Sequence, residues 1–203
     1  MRCDCFLETV LSRSSVRWFR NDPIPDDVLL KIVEAGVRAP NAGNNEQWFF
    51  VVVRDSGLRG RIHELLLEAH EFYATRALKN PLPPDKVGKW VQRIRDGMYL
   101  APAYVAGYVD LRKTTHVEGF FEEERVFAIQ SVAAALENMI LVAHSLGLGA
   151  VWLGVPLLLK SKFDEVLKPP EGCELQGIIA LGYPAETPKA RPRKPLSEVV
   201  KLI

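Results

Sequence analysis

The longest helix that the sequence predicts constrains the fold most. Residues 123–146 fit one continuous helix, and their apolar side chains are spread around the helix axis instead of forming one stripe. A helix that is apolar on several sides must be covered on several faces. Gly147-Leu148-Gly149 supplies a C-terminal stop. We therefore expect this helix either at the centre of the domain or at an interface between two subunits.

Shorter helices and four strands flank that helix in the sequence. Helices are predicted at residues 4–13, between Pro25 and Pro40, and at residues 58–79, 85–98 and 157–167. Strands are predicted at Trp48–Val53, Ala103–Asp110, 150–155 and 175–182. The strands do not alternate with helices in regular βαβ units, which favours the α+β class. No repeat or linker interrupts the chain, so residues 1–203 are expected to form a single domain.

The charge and the apolar runs exclude several classes of partner. Lys and Arg number 26 against 25 Asp and Glu, and a net charge of +1 gives no reason to expect nucleic acid or an anionic membrane. Glu137 and Asn138 interrupt the longest apolar runs well before they reach the ~18 residues of a membrane span. The start of the chain is charged and lacks the apolar core of a secretory signal. We expect a cytoplasmic protein.

The cysteines and histidines show no pattern of a disulfide or a metal site. Cys3 and Cys5 are too close for an easy bridge, and Cys173 is far away in sequence. A zinc or iron–sulfur site needs about four ligands, and the Cys-x-Cys pair has no second half. His116, in the polar stretch 112–118, is a candidate for the mouth of a substrate pocket. The other histidines are expected on helix faces or at the surface.

Two short segments, about 25 residues apart, carry groups that suit a nucleotide-like cofactor. The first segment, residues 13–17, holds two arginines and two serines, and a phosphate binds well to such a set of donors. The second segment, residues 39–48, starts with a turn of small residues that lets a flat polar ring approach the backbone. Taken alone, the first could be a solvated helix end and the second an ordinary loop. No G-x-G-x-x-G or G-x-x-x-x-G-K-[ST] motif is present, which argues against a Rossmann or nucleoside triphosphate site.

In order and spacing, these segments resemble the nitroreductase family of FMN-dependent oxidoreductases. A third segment, residues 147–154, is similar to the family's Gly-Leu-Gly-x-x-Trp-x-Gly. A fourth segment, residues 182–196, is similar to its Gly-Tyr-Pro followed by Arg-x-Pro. The resemblance implies a three-layer α+β sandwich, with a central, mostly antiparallel sheet flanked by helices. It also implies an intertwined homodimer with FMN bound in clefts formed by both chains.

The resemblance further implies which residues bind FMN. Arg13, Ser14 and Ser15 would hold the phosphate and ribityl side, and Arg17 would face N1 and O2 of the ring. Arg193, with Arg191, would close on the phosphate from the C-terminal side. The remaining expected cofactor-binding residues come from the second and third segments: Pro40, Asn41, Ala42, Asn44, Glu46, Trp152, Leu153 and Gly154. Backbone N–H groups near Leu153 and Gly154 would face flavin N5, and no catalytic side chain is expected because the chemistry takes place on the flavin.

The second segment departs from the family pattern Ala-Pro-Ser-Ala-Gly-Asn-x-Gln-Pro-Trp. Asn41 replaces Ser, Glu46 stands where Gln is usual, and Gln47 replaces Pro. Asn41 can still hydrogen-bond the flavin or its ribityl chain. A carboxylate accepts hydrogen bonds and does not donate them, so Glu46 could instead disfavour anionic substrates. Residues 55–120 match no specific family motif.

The implied activity is electron transfer from NADH or NADPH through FMN to nitroaromatics, quinones or similar electron-poor acceptors, by a ping-pong mechanism. Two alternatives stay open. The chain could be a non-catalytic flavin or small-molecule binding module. It could also carry out another flavin reaction of the same superfamily, such as reductive dehalogenation or flavin fragmentation.

Overall fold

Four antiparallel strands form one sheet at the centre of the structure. The computed structural model describes residues 3–112, 118–188 and 190–203, so His116 and Lys189 lie outside the described residues. The strands are β1 (Trp48–Val53), β2 (Ala103–Asp110), β3 (Gly149–Leu153) and β4 (Cys173–Gly182). Their order is β1-β2-β4-β3, and every neighbouring pair is antiparallel. β1 and β3 are therefore the outer strands of this sheet.

Helices cover both faces of the sheet. Within the described residues the α-helices are α1 (Cys3–Ser12), α2 (Asp26–Val37), α3 (Ser56–Phe72), α4 (Pro84–Arg95), α5 (Phe121–Ser145) and α6 (Lys160–Leu167). Tyr104 and Tyr108 of β2 belong to an apolar cluster with α3, α4 and α6, whereas Val105 and Val109 belong to a second cluster with α2 and α5. This alternation is the period of two that a strand buried on both faces requires. The predicted three-layer α+β sandwich is confirmed.

The helix predicted at the centre is α5. It packs against α2 on one side and against all four strands on the other, and nine of its residues are buried. A Cβ on Gly36 of α2 would lie 2.2 Å from Met139 Cε, so glycine permits the close approach of the two helices. By length and composition α5 would also pass for a membrane span, a test that the core helices of soluble proteins pass as well.

Several helices and strands begin or end a few residues away from the predicted positions, because of local caps and turns. The helix predicted at residues 58–79 begins earlier, because the Asp55 side chain accepts a hydrogen bond from Leu58 N (2.8 Å) and caps it. It ends at Phe72 and continues as a π-helical turn, Tyr73–Ala77. The strand predicted at residues 150–155 ends at Leu153, because a 3₁₀ turn follows over Val155–Leu159.

Candidate active site

The first segment lies along the free edge of β3. Ser15 forms a parallel bridge with Ala150, and Val16 N donates to Ala150 O over 3.0 Å. A Cβ on Gly149 would lie 2.6 Å from Val16 Cβ, so only glycine allows the segment to come this close. The segment therefore extends the sheet by one short, irregular strand at its β3 edge.

The two arginines of the first segment face different parts of the chain. The Arg13 side chain is mostly buried, and its Nε lies 3.9 Å from Glu137 Oε1 of α5. Arg17 Nη1 donates to Ser15 O over 3.2 Å, and Arg17 O accepts from Tyr99 N over 2.8 Å. Ser14, between them, is half-buried. Arg13 is thus directed to α5 and Arg17 to the turn that leads into β2.

A cavity of about 640 Å³ opens beside the first segment. Its charged and aromatic lining consists of Arg17, Lys89, Arg93, Arg191, Glu186, Trp18, Trp90 and Tyr99, and Ser15 adds a hydroxyl. Four cations against one carboxylate leave a formal charge of +3 around this space. A cavity of this size with cations and flat aromatic walls suits a planar ligand that carries an anionic group.

Sequence reasoning missed the part of this lining that α4 and the following turn contribute. Lys89, Trp90, Arg93 and Tyr99 all lie within residues 55–120, which matched no family motif. The cationic residues of α4 could have been noticed as a basic helix face. Nothing in the sequence would have assigned that face to this cavity, because the contact depends on how α4 packs on α3.

Burial sets the protonation of the aromatic groups behind the cavity. Burial raises the pKa of Tyr99, although the nearby cations Arg17, Arg93 and Arg191 partly oppose this. Burial also raises the pKa of Tyr104 to about 12. It lowers the pKa of His70, which stacks on Tyr99. All three side chains are therefore held in their uncharged forms near neutral pH.

The second segment has its own local hydrogen bonds. Asn41 Oδ1 accepts from Glu46 N over 2.9 Å, and Ala42 N donates to Ser131 Oγ of α5 over 3.2 Å. Asn44 and Glu46 are exposed and have left-handed backbone angles, with φ of 54° and 49°. Pro40 is also exposed. The side-chain oxygen of Asn41 thus already accepts a hydrogen bond within the loop. Its side-chain N–H₂ group is left to donate to a further partner.

One chain does not bring the first and second segments into the same cavity. The second segment leads into β1 and the first segment flanks β3, on opposite edges of the sheet. With strands about 4.8 Å apart, four spacings separate them by about 19 Å. Of the described residues that line the 640 Å³ cavity, none comes from the second segment. Within one chain, the described residues of the two segments therefore do not line one common cavity.

The third and fourth segments lie on the same side as the first. Leu153 is buried at the end of β3, and Gly154 is exposed, with no atom within 4 Å of where its Cβ would be. Trp152 packs its indole over Gly177, where a Cβ would lie 2.4 Å from Nε1. In the fourth segment, Tyr183 O accepts from Arg20 N over 2.8 Å.

The C-terminal arginines differ in position. Both are exposed, but Arg191 lines the cavity and Arg193 does not. Arg13 also lies outside the lining. The residues expected to bind the cofactor thus form one group around the β3 edge and a separate group at the second segment. The donor set around the β3 edge fits the phosphate and the pyrimidine edge of FMN.

Several known proteins are similar to this chain in sequence or in structure. A Methanothermobacter thermautotrophicus protein assigned as an NADH dehydrogenase/NAD(P)H nitroreductase is 29% identical over 187 residues, 91% of this chain and 80% of the relative. An iodotyrosine deiodinase from Hydra vulgaris is 26% identical over 209 residues, 98% of this chain and 73% of that protein. A solved Desulfovibrio desulfuricans structure, assigned as a nitroreductase in complex with FMN, is 26% identical and has a TM-score of 0.69 over 96% of this chain and 94% of that one.

The match also holds at the level of the family. A sequence profile described as "Nitroreductase family" matches residues 10–183, which include the first three segments and the start of the fourth. Because this match spans most of the sequence, the chain belongs to the nitroreductase family.

Proposed function

We propose that this protein is an FMN-dependent oxidoreductase that passes electrons from NADH or NADPH to nitroaromatics, quinones or similar electron-poor acceptors. The observation that carries the proposal is the cationic, aromatic-lined cavity beside β3, to which Ser15, Arg17 and Arg191 contribute. The assignment of a relative as an NAD(P)H nitroreductase and the FMN in a related structure support it.

In this proposal the chain's own residues bind and orient the cofactor. Arg13, Ser14 and Ser15 hold the phosphate and ribityl side, with Arg191 and Arg193 closing from the C-terminal tail. Arg17 faces the pyrimidine edge of the ring. When bound, FMN would supply the redox chemistry between the nicotinamide and the acceptor, in two half-reactions.

The end of β3 and the aromatic walls decide what can reach the cofactor. The open space around Gly154 leaves room for a ring to approach the backbone N–H groups of Leu153 and Gly154. Trp18 and Trp90 offer flat apolar surfaces in the 640 Å³ cavity. Such walls select flat, electron-poor rings rather than one particular substituent.

We also propose that residues 1–203 form a single cytoplasmic domain that functions as a homodimer. Large apolar side chains are exposed on α1 and on the C-terminal tail, with Leu11 75% and Leu202 92% exposed. Among the described residues β1 has no strand on its outer side, and the first and second segments lie apart, which also supports a dimer. A monomer would leave these surfaces in water, whereas an obligate interface above ~2,000 Å² would cover them.

Light scattering should therefore give about twice the 22.8 kDa of one chain at micromolar concentration. An obligate interface of that size favours a dimer that dilution to nanomolar does not dissociate. A stable monomer at micromolar concentration would contradict the dimer and leave the second segment without a role at the cofactor.

The proposed activity is tested by absorption spectroscopy followed by anaerobic stopped-flow mixing. We expect the purified protein to be yellow or to take up added FMN, and NADH or NADPH to bleach the flavin within seconds. Menadione or nitrofurazone should then restore the oxidised spectrum. A flavin that neither nucleotide reduces would favour the binding module, and reoxidation by an iodotyrosine alone would favour dehalogenation. A colourless protein that takes up no FMN would overturn the cofactor assignment.

A further inference from the structure

Helix α4 presents two cations, Lys89 and Arg93, to the 640 Å³ cavity. The helix packs into the protein through its buried residues Val87, Val91 and Ile94, whereas Lys89 and Arg93 are exposed. Residues four positions apart lie on the same face of a helix, with Cβ atoms about 6 Å from each other. These two residues, here called the α4 cation pair, can therefore bind one anionic group together.

The α4 cation pair has no ionic partner in the described part of the chain. There, no carboxylate oxygen lies within 4.0 Å of the side-chain nitrogens of Lys89 or Arg93, and this includes Glu186 of the same cavity. The proposed FMN site uses other cations, namely Arg13, Arg17 and the C-terminal arginines. The α4 cation pair is thus available for a second anionic ligand that enters the cavity beside FMN.

Two tryptophans give the same cavity fixed aromatic walls. The ring of Trp90, which follows Lys89 in α4, packs against His70 with centroids 5.7 Å apart and edge-on against Tyr73 at 6.5 Å. Trp18 packs on the turn after α4, where a Cβ on Gly97 would lie 3.8 Å from its Cζ3. Both indoles are half-buried and line the cavity. A nucleobase stacks well on an aromatic surface that is held in this way.

We propose that Lys89 and Arg93 bind the 2′-phosphate of NADPH, with the adenine stacked on Trp90, so that the protein uses NADPH in preference to NADH. This inference rests on the proposed function, in which a nicotinamide nucleotide reduces FMN in this cavity. The two nucleotides differ only in that phosphate monoester on the adenosine ribose. A phosphate monoester carries about −1.5 to −2 charges at pH 7 and has three acceptor oxygens, which suits two neighbouring cations. The pyrophosphate is common to both nucleotides, so its contacts give no preference.

The first test measures binding without any redox step. Isothermal titration of the FMN-loaded protein compares adenosine 2′,5′-bisphosphate with adenosine 5′-monophosphate, which lacks only the 2′-phosphate. We expect the wild type to bind the bisphosphate about tenfold more tightly or better, because hydrogen bonds between charged groups contribute at least this much. The double variant Lys89→Gln/Arg93→Gln should bind both probes equally. The control is Arg95→Gln, which removes an arginine of the same helix that does not line this cavity, and it should keep the wild-type preference.

The second test follows flavin reduction by NADPH and by NADH in anaerobic stopped-flow mixing, and compares the two apparent dissociation constants. Their ratio should favour NADPH about tenfold or more in the wild type, fall partway in each single variant and approach one in the double variant. Because the single variants also report on the ratio, the test does not depend on folding of the double variant.

Three results would overturn the inference. They are a wild type that binds both nucleotides equally, a preference that survives in the double variant, and an equal loss of affinity for NADH and NADPH. In the last case the α4 cation pair would bind the shared pyrophosphate. A protein that takes up no FMN, or a flavin that neither nucleotide reduces, would instead reject the proposed function.

Discussion

Gly149→Ala is expected to destabilise the folded protein and to weaken FMN binding together. An added Cβ would lie 2.6–2.7 Å from three atoms of Val16, and a β-branched side chain next to backbone cannot rotate away. Overpacking of this kind costs about 1–3 kcal/mol. It should also displace the first segment from β3, which carries Ser15 and Arg17 away from the cavity. Guanidinium unfolding of the FMN-free protein measures the loss of stability, and titration with FMN measures the loss of affinity.

The matched control is Gly88→Ala in α4. No atom lies within 4 Å of the position that its Cβ would take. Alanine is favoured over glycine inside a helix by up to about 1 kcal/mol, so this variant should be as stable as the wild type or slightly more so. If Gly149→Ala behaved like this control in both measurements, the close contact between the first segment and β3 would not be required for the site.

Arg13→Ala should lower FMN affinity strongly and leave the FMN-free protein nearly as stable as before. Charge-assisted hydrogen bonds to a phosphate are worth about 1.5–3 kcal/mol each, which corresponds to roughly ten- to a hundredfold in the dissociation constant. In the described part of the chain the Arg13 side chain has a long ion pair, 3.9 Å from a half-exposed Glu137. Loss of such a pair changes stability by about 0–1 kcal/mol. Isothermal titration measures the FMN affinity, and thermal melting of the FMN-free protein measures its stability.

Arg61→Ala is the control for this variant. Arg61 is an exposed arginine of α3, paired with Glu64 over 2.8 Å, and it does not line the cavity. Removal of its charge should change neither FMN affinity nor melting temperature appreciably. Wild-type retention of FMN by Arg13→Ala would mean that the phosphate is bound elsewhere, for example by the cations of α4.

The sequence predicted the layers of this fold well because hydrophobic patterning decides them. The almost continuous run of apolar and small residues in Ala103–Asp110 and the all-round apolar character of residues 123–146 allow few other arrangements. Helix ends were less predictable: nothing in the pattern signals that α3 changes to a π-helical turn at Tyr73. Local capping and turn chemistry depend on single side chains, and they move a boundary by several residues without changing the layer.

The candidate site was predictable only where it is local in sequence. Residues 13–17 and 147–154 are continuous motifs, and they lie side by side because Ser15 pairs with Ala150. Tyr99 and Arg93 meet the first segment through the packing of α3, α4 and the turn before β2. No spacing rule describes contacts between residues about 80 positions apart. Tyr99 also has a left-handed backbone conformation, with a φ of +72°, which its residue type does not predict.

The position of the first and second segments on opposite edges of one sheet has a genetic consequence. In the proposed dimer each cofactor takes the first segment from one chain and the second from the other. A chain damaged only in the first segment and a chain damaged only in the second would then complement each other when co-expressed. Their mixed dimer would assemble one intact centre from the two undamaged halves and one centre that carries both lesions.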